Sequence, residues 1–309
     1  MAYQTGVPAS TTALIDTYIN WIVAQCGFSL GNTWTFTADS GAANGSGSTN
    51  WTGRALLRDS QYIYLAWPTT NPDRLTLNTG TVNPTTGRLN AQTGCYTASN
   101  MLILLGTAPS RYWMFANGYS AHCVAEWKGG AYQHIHAGYV EKYGSWVGGV
   151  YASGIYNDSN SQYGSGNLYS ILNGYHYSPF GYPQVFTIRG SLQITYGGGT
   201  VKTFSFVAGD IGSGLLHSFG IIYGSQPNTY NGRAVLTPIE LSYSENLSGY
   251  QLRPIGRISN CALINIANIN PGDTILTDWM AFPWSAKNSG GTTAEGYVNS
   301  ENYGIAYKK

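Results

Sequence analysis

The hydrophobic period of the chain changes once, near residue 30, and that change governs what it can fold into. Before it, Leu14, Tyr18, Ile22 and Cys26 recur at fourfold spacing, with Ile15, Ile19 and Val23 in the adjoining row. This is the pattern of a helix with one broad apolar face. Ser10, Thr11 or Thr12 can cap its first turn and Gly27 supplies a stop, so a helix is predicted from about Thr12 to Cys26. The face packs on the protein's own sheet or, through Leu14, Tyr18 and Ile22, on a neighbouring subunit.

Beyond the helix the runs are short, alternating, and rich in β-branched and aromatic residues. They include TWTFT at 33–37, ALLR at 55–58, YIYLAW at 62–67, RLTLNT at 74–79, VFTIRG at 185–190, SLQITY at 191–196, VKTFSFV at 201–207 and AVLTPIELSY at 234–243. YWMFANG at 112–118 and AHCVAEW at 121–127 flank a short Gly-containing turn and read as a hairpin. MLILL at 101–105 is the most continuous apolar run of the first half, which predicts a central strand. Stretches 41–50, 83–94 and 153–167 read as loops. The expectation is a mostly β protein of about fifteen strands. An N-terminal arm and amphipathic helix occupy 1–30, and a β-rich body occupies 31–309. That body is a β-sandwich or a pair of sandwiches, with a subdomain boundary near 180–185.

Only 9 % of the 309 residues are charged, against roughly 25 % in an average soluble protein. Mean hydropathy is nevertheless −0.16. The surface is therefore polar but neutral, built of hydroxyls and amides, and has little charge repulsion to keep copies apart. Fifteen Lys and Arg against fourteen Asp and Glu leave no field to draw the chain onto nucleic acid or anionic lipid. Cys26, Cys95, Cys123 and Cys261 are too dispersed for a zinc knuckle or a dense disulfide framework. With no leader-like start and no apolar run long enough to span a membrane, synthesis in a reducing cytoplasm is expected.

Motifs for chemistry are sparse. No Walker loop is present, no Gly-x-Ser-x-Gly stands in a strand-turn-helix context, and no nucleophile is nominated. No catalytic residue and no cofactor is predicted. His134 and His136 are one residue apart, so on a strand both rings share a face, with Glu141 five residues on. This HxH and its glutamate resemble the first motif of the cupin family, and Gly214-Leu-Leu-His217 fits the end of its second. The resemblance implies a metal-binding β-barrel using His134, His136, Glu141 and His217. Lys128 stands where the first motif has glycine and Ile221 where the second has asparagine. Aromatics crowd the segment after the histidines: Trp146, Tyr151, Tyr156, Tyr163, Tyr169, Tyr175 and Tyr177. Such rings serve as core, as subunit interface, or as a platform for a host-surface glycan in a fibre or spike-type module.

Three ordered stretches resemble a group of tailed-bacteriophage virion proteins. The first is MAYQTG followed by TTALIDTYINWIVAQCGF. The second is YWMFANGYSAHCVAEWKGGAYQHIHAGYV at 112–140. The third is GDTILTDWMAFPW at 272–284 followed by ENYGIAYKK at 301–309. The resemblance implies a non-enzymatic virion component at the neck, collar, tail or baseplate. Its partners would be copies of itself and other virion proteins, without nucleic acid or membrane.

Overall fold

The computed structural model describes residues 1–37, 50–70, 72, 74–78, 81–82, 89–90, 101–104, 109–128, 130–145, 147–154, 156–158, 167–169, 187–195, 201–207, 235–246, 250–283 and 303–309. They form a mostly β protein with one helix, and all described strand pairs are antiparallel. Helix α1 spans Thr11–Cys26. Ser10 is its cap, the hydroxyl accepting from the Ala13 amide at 3.1 Å, and Gly27 ends it in the left-handed region at φ 67°. Among the described residues no helix is long and apolar enough to cross a membrane.

The central layer is a seven-stranded sheet. In spatial order it runs β1 (Ala2–Gly6), β9 (Arg111–Ala116), β10 (Ser120–Lys128), β11 (Ala131–Tyr139), β13 (Val147–Gly154), β16 (Thr187–Thr195) and β17 (Val201–Val207). The hairpin joining β9 to β10 is closed by Asn117, whose Oδ1 accepts from the amides of Tyr119 and Ser120, each at 2.8 Å.

The described side chains of β9, β10, β11 and β13 alternate between two cores. One face carries Tyr112, Met114, Ala116, Ala121, Cys123, Ala125, Ile135, Ala137, Val150 and Ala152. Its alanines leave room for α1, and Leu14, Ile15, Tyr18, Ile19 and Ile22 fill it, each essentially inaccessible to solvent. Tyr18 donates its hydroxyl to the Ala121 carbonyl at 2.8 Å, so even the polar tip of this aromatic is satisfied inside. The same core takes Leu56, Ile63, Leu65, Leu75 and Leu77 from a five-stranded sheet. That sheet runs β2 (Ser29–Thr37), β3 (Asn50–Arg58), β4 (Gln61–Pro68), β5 (Arg74–Asn78), β8 (Met101–Leu104). Leu14, Tyr18 and Ile22 are thus buried in the protein's own core, which corrects their assignment to a subunit interface. Met101–Leu104 of the MLILL run forms β8, which among the described residues stands at the end of its sheet, not the centre.

The opposite face of the central sheet carries Trp113, Phe115, His122, Val124, Tyr132, His134 and His136. It packs on a third sheet, ordered β12 (Glu141–Lys142), β19 (Tyr250–Asn265), β22 (Tyr303–Lys308), β21 (Trp279–Pro283), β20 (Thr274–Ile275), with β18 (Thr237–Asn246) also paired to β19. Phe282 stands 4.9 Å from Trp113 between ring centroids, and Tyr307 stacks on Phe115 at 5.0 Å and 14°. Two short ladders complete the described structure, β6 (Thr81–Val82) with β7 (Leu89–Asn90) and β14 (Tyr156–Asp158) with β15 (Asn167–Tyr169). The boundary near 180–185 lies outside the described residues. β13, earlier in the chain, and β16, later, pair as neighbours in the central sheet, so that sheet draws strands from both sides of 180–185.

Candidate functional site: a buried histidine network

Between the central and third sheets lie three imidazoles, His122, His134 and His136, all with no solvent exposure. Strand alternation places His134 and His136 on one face, as their spacing predicts. His122 comes from the neighbouring strand, directly opposite His136.

The acceptors around the rings fix the tautomers. His122 Nε2 lies 2.9 Å from the Ser259 carbonyl, which can only accept, so that nitrogen carries the proton. Its Nδ1 is therefore the acceptor for the proton on His136 Nδ1, 2.8 Å away. His134 repeats the logic: Nε2 donates to the Pro283 carbonyl at 2.8 Å, and Nδ1 accepts from the Tyr307 hydroxyl at 2.6 Å. Every ring is neutral in this arrangement. His136 Nε2 keeps a lone pair with no partner among the described residues.

Burial opposes the charged form of each ring and pushes the His122 and His134 pKa values down to about 4, the carbonyl bonds to Ser259 and Pro283 offsetting only part of this. His136 is driven well below the ordinary histidine range by burial and by its two histidine neighbours. Burial also raises the Tyr307 hydroxyl well above its ordinary value, keeping it a donor.

The Ser259 carbonyl is presented by a bulge. Pro238 of β18 pairs with Ala262 while Ile239 pairs with Ile258, so residues 259–261 of β19 have no opposite number on β18. Asn260, at φ 66°, makes the bend. Ser259 also places its hydroxyl 3.3 Å from that of Ser120.

The candidate metal donors do not converge. Both His134 nitrogens are engaged, and Glu141 lies on β12 with its two oxygens each 2.8 Å from the Arg257 guanidinium. His217 lies outside the described residues, and among the described residues no group of three His, Cys, Asp or Glu could hold a metal. The donors present therefore do not fit the metal centre that the cupin resemblance implies. Of the aromatic cluster, Tyr151 is fully buried in the chain's own core, which corrects its assignment to an interface. Tyr156 and Tyr169 are opposite each other in the short β14–β15 ladder. Trp146, Tyr163, Tyr175 and Tyr177 lie outside the described residues. Cys26, Cys123 and Cys261 are buried free thiols.

This network binds two sheets together through hydrogen bonds of neutral rings, with His136 Nε2 left without a partner among the described residues. No protein-family model matches the chain, and neither does any curated protein.

Proposed function

We propose that the chain is a structural, non-enzymatic subunit of a tailed-bacteriophage virion. It is made in the host cytoplasm and built in several copies into the neck, the collar or another part of the tail. The observation that carries this reading is where the three virion-like stretches lie. The described residues of 1–28, 112–140, 272–283 and 303–309 are remote in sequence yet form one packed unit. β1 pairs along β9 with Tyr3 opposite Phe115, and α1 packs on β9, β10 and β11. The closing strand brings Tyr307 onto His134, and Phe282 packs on Trp113. The resembling segments thus amount to a connected structural core, which supports a shared architecture more than three isolated matches would. The near-zero net charge supports protein neighbours over nucleic acid or membrane.

The test is immunogold labelling of particles from the phage that encodes the chain, with antibody raised against the recombinant protein, alongside cryo-EM of the intact particle. Labelling at a discrete, symmetric station is the expected result. Particles that lack the chain altogether, by labelling and by mass spectrometry, would overturn the proposal.

A further inference from the structure

We infer that the free edge of β1 is a docking site for an extended segment of another protein carrying carboxylates at two alternate positions. β1 ends the seven-stranded sheet, and among the described residues no strand pairs with its outer side. Such an edge presents main-chain donors and acceptors at strand spacing, so an extended backbone is the occupant it fits. Two of the usual safeguards against strand addition are missing, since Ala2–Gly6 has neither charge nor proline. Tyr3 is 38 % exposed, and Val7 just beyond the strand is 77 % exposed.

The flanking charges specify the partner. Tyr3 and Thr5 point to one face, and a cation attends each. Lys309 Nζ lies 6.0 Å from the Tyr3 ring centre, and Arg111 Nε lies 3.4 Å from the Thr5 hydroxyl. Neither cation forms an ion pair among the described residues: Lys309 Nζ donates to the Thr274 hydroxyl at 3.0 Å and Arg111 lies over the Trp113 ring, so both keep a charge with no carboxylate paired to it. Glu126 is paired across from Arg111 but sits on β10, on the far side of β9 from this edge, and its carboxylate accepts from the Gly130 amide. Residues two apart on a strand are separated by about 6.8 Å. A partner strand with acids at i and i+2 therefore matches the two cations in step. A second copy of this chain is a poorer occupant, because antiparallel β1–β1 pairing about Gln4 sets Tyr3 against Thr5 of its mate. Lys309 would then lie beside the mate's Arg111.

The inference is read from the edge alone and does not depend on the virion proposal, so failure of particle labelling leaves it intact. The test uses untagged full-length protein and two fluorescent peptides, acetyl-TVETETVT-amide and its counterpart with Lys in place of Glu. Anisotropy is expected to show the acidic peptide binding about tenfold tighter, with R111E/K309E reversing the order. Hydrogen exchange should slow on binding at those alternate amides of Tyr3–Val7 that point away from β9. Equal affinity for both peptides, no binding at millimolar concentration, or edge amides already protected in the protein alone would each overturn it. Protection that appears only at high protein concentration would instead assign the edge to self-association.

Discussion

Tyr307 holds the most exposed consequence of the histidine network, because its hydroxyl is the donor His134 Nδ1 faces. Tyr307→Phe keeps the ring stacked on Phe115 but leaves a buried acceptor unmet. The expected cost is about 1–3 kcal/mol of folding stability, measured by urea unfolding. Acid acts on the same residues. The His122 and His134 pKa values are depressed in the folded state, so their contribution is complete above about 6.5 and is lost as pH falls toward about 4. The loss attributable to His134 is on the order of 3 kcal/mol. Urea midpoints at intervals between pH 7 and pH 4 should fall, and H134Q should flatten the slope; a flat wild-type profile would show the rings are not held neutral. His134 and His136 are legible in the sequence because their spacing alone puts them on one face. His122 is not. Lys128 lies opposite Ala131, and an unbroken ladder from there would set His122 opposite Ala137. The irregularity between Glu126 and Lys128 shifts the register by one and brings His122 to His136.

At the scale of elements, legibility follows how local the determinants are. Helix α1 is readable because its apolar face, its Ser10 cap and its Gly27 stop lie within eighteen residues of one another. β1 is short and half polar, and it exists by pairing with β9 more than a hundred residues away. β19 is the longest strand among the described residues yet reads as broken, since Pro254, Gly256 and Asn260 interrupt its pattern. The first two fit because β18 shifts register around them, and Asn260 forms the bulge that feeds His122. MLILL is as apolar as a central strand, yet its Met101–Leu104 stands last in its sheet among the described residues, because continuity of apolar residues does not report position within a sheet. Gly138 offers a sharp test of packing between elements. It has φ 153°, and an added Cβ would strike the Tyr119 carbonyl oxygen and come within 2.8 Å of Ser120 Cα, both backbone. Gly138→Ala is expected to cost about 1–3 kcal/mol, read as a lowered melting temperature, whereas the same change at the unobstructed Gly118 should cost much less.

Across the whole molecule, three layers are held by one central sheet with two different faces. One face is closed by α1 and aliphatic side chains, the other by aromatics and the histidines. The second closure depends on β22, which lies between β19 and β21 and brings Tyr307 to the network. Protein truncated after residue 302 should therefore keep the helix-side core but expose the third sheet. Limited proteolysis is expected to cut within 250–283 first while residues 109–139 stay protected. Because β22 is synthesised after every strand it touches, sheet completion cannot proceed in step with translation. A nascent chain halted before Tyr303 carries an open slot between β19 and β21 and lacks the hydroxyl that His134 Nδ1 faces, so the third sheet and the histidine network close only with the last strand.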